Sequence, residues 1–111
     1  MTLRIFRSYA SGFFGRLDDE TRASLLAAVA EHDAMHAAFR PEGTVTYDRT
    51  LTSFRFRVEL RVRAESPEDA RAEMVETVRA RAVTALAALG VVTDPARLRV
   101  GGTDMASMWE R

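Results

Sequence analysis

Between Ser53 and Ala64 apolar and polar residues alternate without a break. Phe54, Phe56, Val58, Leu60, Val62 and Ala64 fall on one side, and Arg55, Arg57, Glu59, Arg61 and Arg63 on the other. Side chains on an extended chain point to opposite faces in turn, so this pattern predicts a half-buried β-strand with an apolar inner face. Leu3 to Ala10 carries bulk on both sides, with Leu3, Ile5 and Tyr9 against Phe6, and predicts a central strand that Gly12-Phe13-Phe14-Gly15 breaks. Thr44 to Asp48 reads as a short strand with Val45 and Tyr47 on one face, and Arg97 to Val100 as a last strand before Gly101-Gly102.

Two stretches carry helical spacing instead. Asp18 or Asp19 caps the first helix, and Leu25, Ala28 and Val29, broadened by Leu26 and Ala30, form its buried stripe. The pattern predicts a helix to about Phe39, because Pro41 disfavours helical geometry at Arg40. Ser66 caps the second helix, Pro67 takes its first position, and Glu68 and Asp69 complement its dipole. Val75, Val78, Ala82, Leu86 and Leu89 are its expected inner stripe, and Gly90 closes it. The order is β-α-β-β-α-β. Two such helices cover one face of a four-stranded antiparallel sheet, so the expected fold is an α+β, ferredoxin-like arrangement in a single domain over residues 1–111.

Composition changes this picture in three places. All sixteen cations are arginine and are balanced by sixteen acids, so the basic excess usual in nucleic-acid binding is absent and no nucleic-acid partner is expected. No apolar run approaches the roughly 20 residues of a membrane span. With no cysteine there are no disulfides or thiolate chemistry, and the charged start Leu3-Arg4-Ile5-Phe6-Arg7 is no signal peptide; a cytoplasmic location is expected.

Four strings stand out: Glu31-His32-Asp33, the run from Phe39 to Asp48, Phe54-Arg55-Phe56-Arg57, and Asp104-Met105-Ala106-Ser107-Met108-Trp109. Together they resemble an uncharacterised actinobacterial family of small proteins, catalogued as a domain of unknown function. The resemblance implies an actinobacterial origin and the same fold, and it brings no settled activity with it.

Candidate chemistry centres on Glu31-His32-Asp33-Ala34-Met35-His36. On a continuous helix His32 and His36 lie one turn apart, within reach of one metal ion. Asp33 is shorter than the glutamate of the zinc-protease pattern, and no third ligand is placed, so no metal is expected. His32 falls beside the buried stripe, where it either makes a structural hydrogen bond or acts as a general acid or base, since an imidazole titrates near neutrality. Asp33, Asp48 and Asp104 are the candidate carboxylates to orient it. Glu31, His36, Tyr47, Asp48 and Trp109 are the candidates to line a ligand. Tyr47 also reads as a core aromatic with its hydroxyl at a polar rim, and Asp48 as a turn residue. The tail around Trp109 is expected to dock on its own core, on a second copy, or over a pocket mouth.

Two functions follow as expectations. One is a cofactor-independent small-molecule enzyme of the cyclase, isomerase or lyase type, with His32 moving a proton in a cavity between helices and sheet. In size and element order alone the chain resembles aromatic polyketide cyclases and cofactor-free monooxygenases. The other is a noncatalytic binding or assembly module. The outward arginines of the long strand lack the aromatics of RNA-recognition sheets, and they read as the seam of a homodimer through the open sheet face.

Overall fold

A computed structural model describes residues 2–36 and 38–105, with the His36 side chain outside that set. Its elements are β1 (Thr2–Phe13), α1 (Asp19–Ala27), β2 (Thr44–Tyr47), β3 (Ser53–Ala64), α2 (Pro67–Ala88) and β4 (Arg99–Asp104). They form an α+β structure whose four strands make one sheet in the order β2-β3-β1-β4. Every neighbouring pair is antiparallel.

The long strand β3 matches its alternation: each of Phe54, Phe56, Val58, Leu60, Val62 and Ala64 is buried. It pairs with β1 along its whole length, from Thr2 opposite Ala64 to Phe13 opposite Ser53. α2 lies across this inner face on Ala70, Met74, Val78, Ala82 and Leu86, a stripe four residues in period. The two alanines let the helix axis approach the sheet, while Met74 and Leu86 fill the space to either side. Each fully buried side chain of this size contributes about 1.5–3 kcal/mol relative to exposure. The stripe is offset from the expected one, with Val75 and Leu89 only partly buried.

The caps are as the local signals predict. The Asp18 carboxylate accepts from Thr21 N at 2.7 Å, and this bond holds its pKa below the usual carboxylate value. The Ser66 hydroxyl accepts from Asp69 N at 3.1 Å with Pro67 in the first turn. α2 is tied to β4 and to the turn before it by its own arginines. Arg71 donates to the Gly102 carbonyl at 3.3 Å, and Arg79 to those of Pro95 and Leu98 at 2.6 and 3.2 Å.

Three boundaries differ from expectation. β1 runs through Gly12 to Phe13 because β3 opposite it is long enough to pair with the extra residues. β4 starts later and runs through Gly101-Gly102 to Asp104. The phenolic oxygen of Tyr9 lies 2.7 Å from where a Cβ on Gly101 would stand, so glycine here admits a cross-strand ring rather than ending a strand.

The third difference is the largest: α1 stops at Ala27, and the chain continues as 3-10 turns at Val29–His32 and Ala34–His36. Asp33 between them is extended, with φ −72° and ψ 125°. Its carboxylate accepts from Met35 N at 2.9 Å, a local bond that competes with the helical ladder. His32 meanwhile is held on β2. The premise of one helix face carrying both histidines therefore fails, since the kink at Asp33 breaks the one-turn spacing.

Gly43 is the one turn residue whose identity is forced twice over. Its φ is +86°, and a Cβ there would sit 2.4 Å from the Phe56 ring.

Candidate functional site

Alternation and register place the outward residues of β1, β3 and β4 on the sheet face opposite α2. That face carries Arg7, Arg55, Arg57, Arg61, Arg63 and Arg99, against Glu59 as the one strand acid whose register puts it there, Asp104 falling on the face of Phe6. The neutral chain is thus strongly polarised.

The density of polar groups is highest at one end. Cross-strand register lines up Thr46, Arg55, Ser11 and Arg99 as a single rung over all four strands. The next rung is Thr44, Arg57, Tyr9 and Gly101. With no side chain on Gly101, the Tyr9 ring can lie over β4, and the Arg55 guanidinium stacks on it at 4.7 Å. A cleft of about 560 Å³ lies over this end, lined among others by Ser11, Thr46, Arg55, Arg57, Arg97 and Arg99. Phe13, 79% exposed, forms its lip. Among the described residues Arg55, Arg57 and Arg99 have no carboxylate within ion-pair distance. Thr46 is buried and its hydroxyl donates to the Arg55 carbonyl at 3.3 Å, so the guanidiniums and the Ser11 hydroxyl are the groups that supply donors for an anion.

Two acids also reach this cleft, Asp33 and Asp48. Both are engaged in their own turns. Asp33 accepts from Met35 N, as above, and Asp48 accepts from the hydroxyl and the backbone N–H of Thr50. Those two bonds, the hydroxyl one foremost, lower the Asp48 pKa.

The expected proton-transfer group is dispersed. His32 is half-buried beside β2, its Nδ1 donating to the Val45 carbonyl at 2.7 Å and its ring stacked on Tyr47 with centroids 5.0 Å apart. Tyr47 is a core residue whose hydroxyl donates to the Leu25 carbonyl at 2.7 Å, fastening α1 to β2. Burial, and secondarily the charge of exposed Glu31, raise the Tyr47 pKa. Asp104 lies on β4, the opposite edge of the sheet, and pairs with Arg4 at 2.6 Å. The strands between β2 and β4 set His32 and Asp104 on opposite sides of a sheet roughly 14 Å wide. Asp104 is therefore a strand residue, and it is not an orienting partner for His32. His36 belongs to the second 3-10 turn, and Trp109 lies outside the described residues. Among the described residues no three His, Cys, Asp or Glu side chains gather to hold a metal, and no helix is long and apolar enough to cross a membrane.

Sequence reasoning found the arginine ladder but not Ser11, Phe13, Thr46, Arg97 or Arg99 as members of a site. The available signal was the continued alternation of Ser11 and Phe13 beyond Ala10, which extends β1 and brings its register with β4 into view.

Fold and cleft together define a small α+β domain with a packed inner layer and a cationic open sheet face. The chain belongs to a family of unknown function (DUF6204), which it matches over residues 1–111. No curated protein and no solved structure matches it.

Proposed function

We propose that the chain is a noncatalytic binding module of ferredoxin-like type that holds an anionic ligand on its open sheet face. The strand order supports the fold reading, and the Thr46–Arg55–Ser11–Arg99 rung carries the functional one. The cleft above that rung is in the size range of small-molecule sites. The same charge pattern weighs against a homodimer through this face. A two-fold contact sets a surface against itself, and here arginines would meet arginines with Glu59, and Asp33 and Asp48 at the cleft, to answer them.

A direct test is titration of the full chain with phenyl phosphate, followed by backbone amide shifts. Saturable shifts are expected at Ser11, Thr46, Arg55 and Arg99, with affinity falling at least about tenfold in Arg55→Ala/Arg99→Ala. Shifts elsewhere, or equal affinity in the double variant, would remove the cleft as the site.

The enzyme reading, with His32 as general acid or base for a cyclase, isomerase or lyase reaction, is supported by one observation. The Val45 carbonyl can only accept, so Nδ1 carries the proton and a neutral ring keeps Nε2 as a base. Against it, the residues lining the cleft include Asp33 but not His32.

A further inference from the structure

The cleft accounts for only one end of the cationic face. Arg61 and Arg63 lie six and eight residues along β3 from Arg55, about 20 and 27 Å away at strand rise. Among the described residues neither has a carboxylate within ion-pair distance. A ligand confined to the rung does not reach them. The occupant that matches the whole strip is long, flexible and anionic along its length.

The strip also offers flat surfaces. Phe13 stands 79% exposed at one end. Tyr9 lies under Arg55, and Phe39 comes over the same face with its ring 5.8 Å from the Arg7 guanidinium and 6.0 Å from that of Arg57. Exposed rings and ring-backed guanidinium planes are the surfaces on which unpaired bases stack. β3 alone has no outward aromatic. β1 supplies Tyr9 and Phe13 beside it, and the loop before β2 supplies Phe39. The neutral total charge is no obstacle, because acids such as Asp18, Asp19 and Glu20 at α1 and Glu68, Asp69 and Glu73 on α2 lie on other elements. Binding answers to the local field.

Resting on the anion-binding reading above, we propose that the ligand of this face is single-stranded nucleic acid, with its phosphates on the β3 arginines and its bases on Phe13 and the ring-backed guanidiniums. A duplex suits the surface poorly. Its grooves accept a helix or a two-stranded ribbon, and the strip is a broad sheet face with neither projecting from it.

The test is fluorescence anisotropy of the full chain with a labelled ten-nucleotide single strand, its duplex, and inorganic polyphosphate. The single strand is expected to bind tightest, weakening with salt as several phosphates are neutralised. Phe13→Ala should lower its affinity about 5- to 100-fold and leave polyphosphate binding unchanged. Because Phe13 is exposed, that variant is expected to keep its fold, checked by its unfolding midpoint. Arg61→Ala/Arg63→Ala should weaken the single strand while phenyl phosphate still shifts the rung amides. Equal affinity for polyphosphate and single strand, with no effect of Phe13→Ala, overturns the proposal. So does a dimer whose Arg61 and Arg63 amides are protected. If phenyl phosphate binds and the oligonucleotide does not, this inference falls and the cleft reading stands. If neither binds, both fall.

Discussion

The two faces of β3 are made from one alternating sequence and do opposite things. The inner set, Phe54 to Ala64, is buried against α2 and holds the domain together. The outer set, Glu59 apart, points arginine after arginine away from the core, and among the described residues Arg55, Arg57, Arg61 and Arg63 have no carboxylate within ion-pair distance. A surface that served only solubility would intersperse the signs. The comparison teaches that stability and recognition are separable here, residue by residue, along a single strand.

That separation can be broken from the inside. Phe56 is 1% exposed and packs against Gly43, so Phe56→Ala should cost about 3–5 kcal/mol in urea unfolding. A loss under about 1 kcal/mol would mean that the inner face is not the core.

Tyr47 tests the inner layer more finely. Tyr47→Phe leaves the Leu25 carbonyl without its donor and should cost about 1 kcal/mol. Its pKa is raised in the folded state, so the folded form keeps the phenolic proton where the unfolded chain has begun to lose it. The resulting stability is fully present below the ordinary tyrosine value of 10.0 and is lost as pH rises above it. Urea midpoints measured from pH 8 to 11 should decline in the native protein and decline less in Tyr47→Phe. Parallel slopes would deny the hydroxyl this role.

The smallest expected effect on stability comes from the outer face. Arg99→Ala should change stability by less than about 0.5 kcal/mol, because the side chain is exposed and makes no ion pair among the described residues. The same variant should weaken phenyl phosphate in the cleft. If it destabilises the fold instead, the division between the faces is wrong.

What was legible in the sequence follows the range of the forces involved. Period-two alternation in β3 and the caps at Asp18 and Ser66 are set within a few residues, and each stands where its signal puts it. The end of α1 is not, because the side-chain bond of Asp33 and the anchoring of His32 on β2 outweigh a weak helical pattern. Of the candidate site, the Arg55 and Arg57 side was readable as a ladder. Ser11, Thr46 and Arg99 become its neighbours only through the pairing of four strands, and pairing register is non-local. Gly101-Gly102 misled because a glycine pair reads as a turn, whereas Gly101 makes room for the Tyr9 ring. Glu31, His32, Asp33 and His36 drew notice as a cluster because they are adjacent in the chain, and a bend in that chain is enough to scatter them.

The side-chain bonds to β2 and β4 have a consequence for how crowded this protein can become. A four-stranded sheet ends in two strands whose outer carbonyls invite another chain to pair, which is how sheets grow into fibrils. On one border His32 occupies the carbonyl of Val45; on the other, Arg71 occupies that of Gly102, and Arg79 takes that of Leu98 just before the strand. Each border therefore has a carbonyl taken by a donor from the molecule's own body, which leaves fewer free acceptors there for a second chain to pair with.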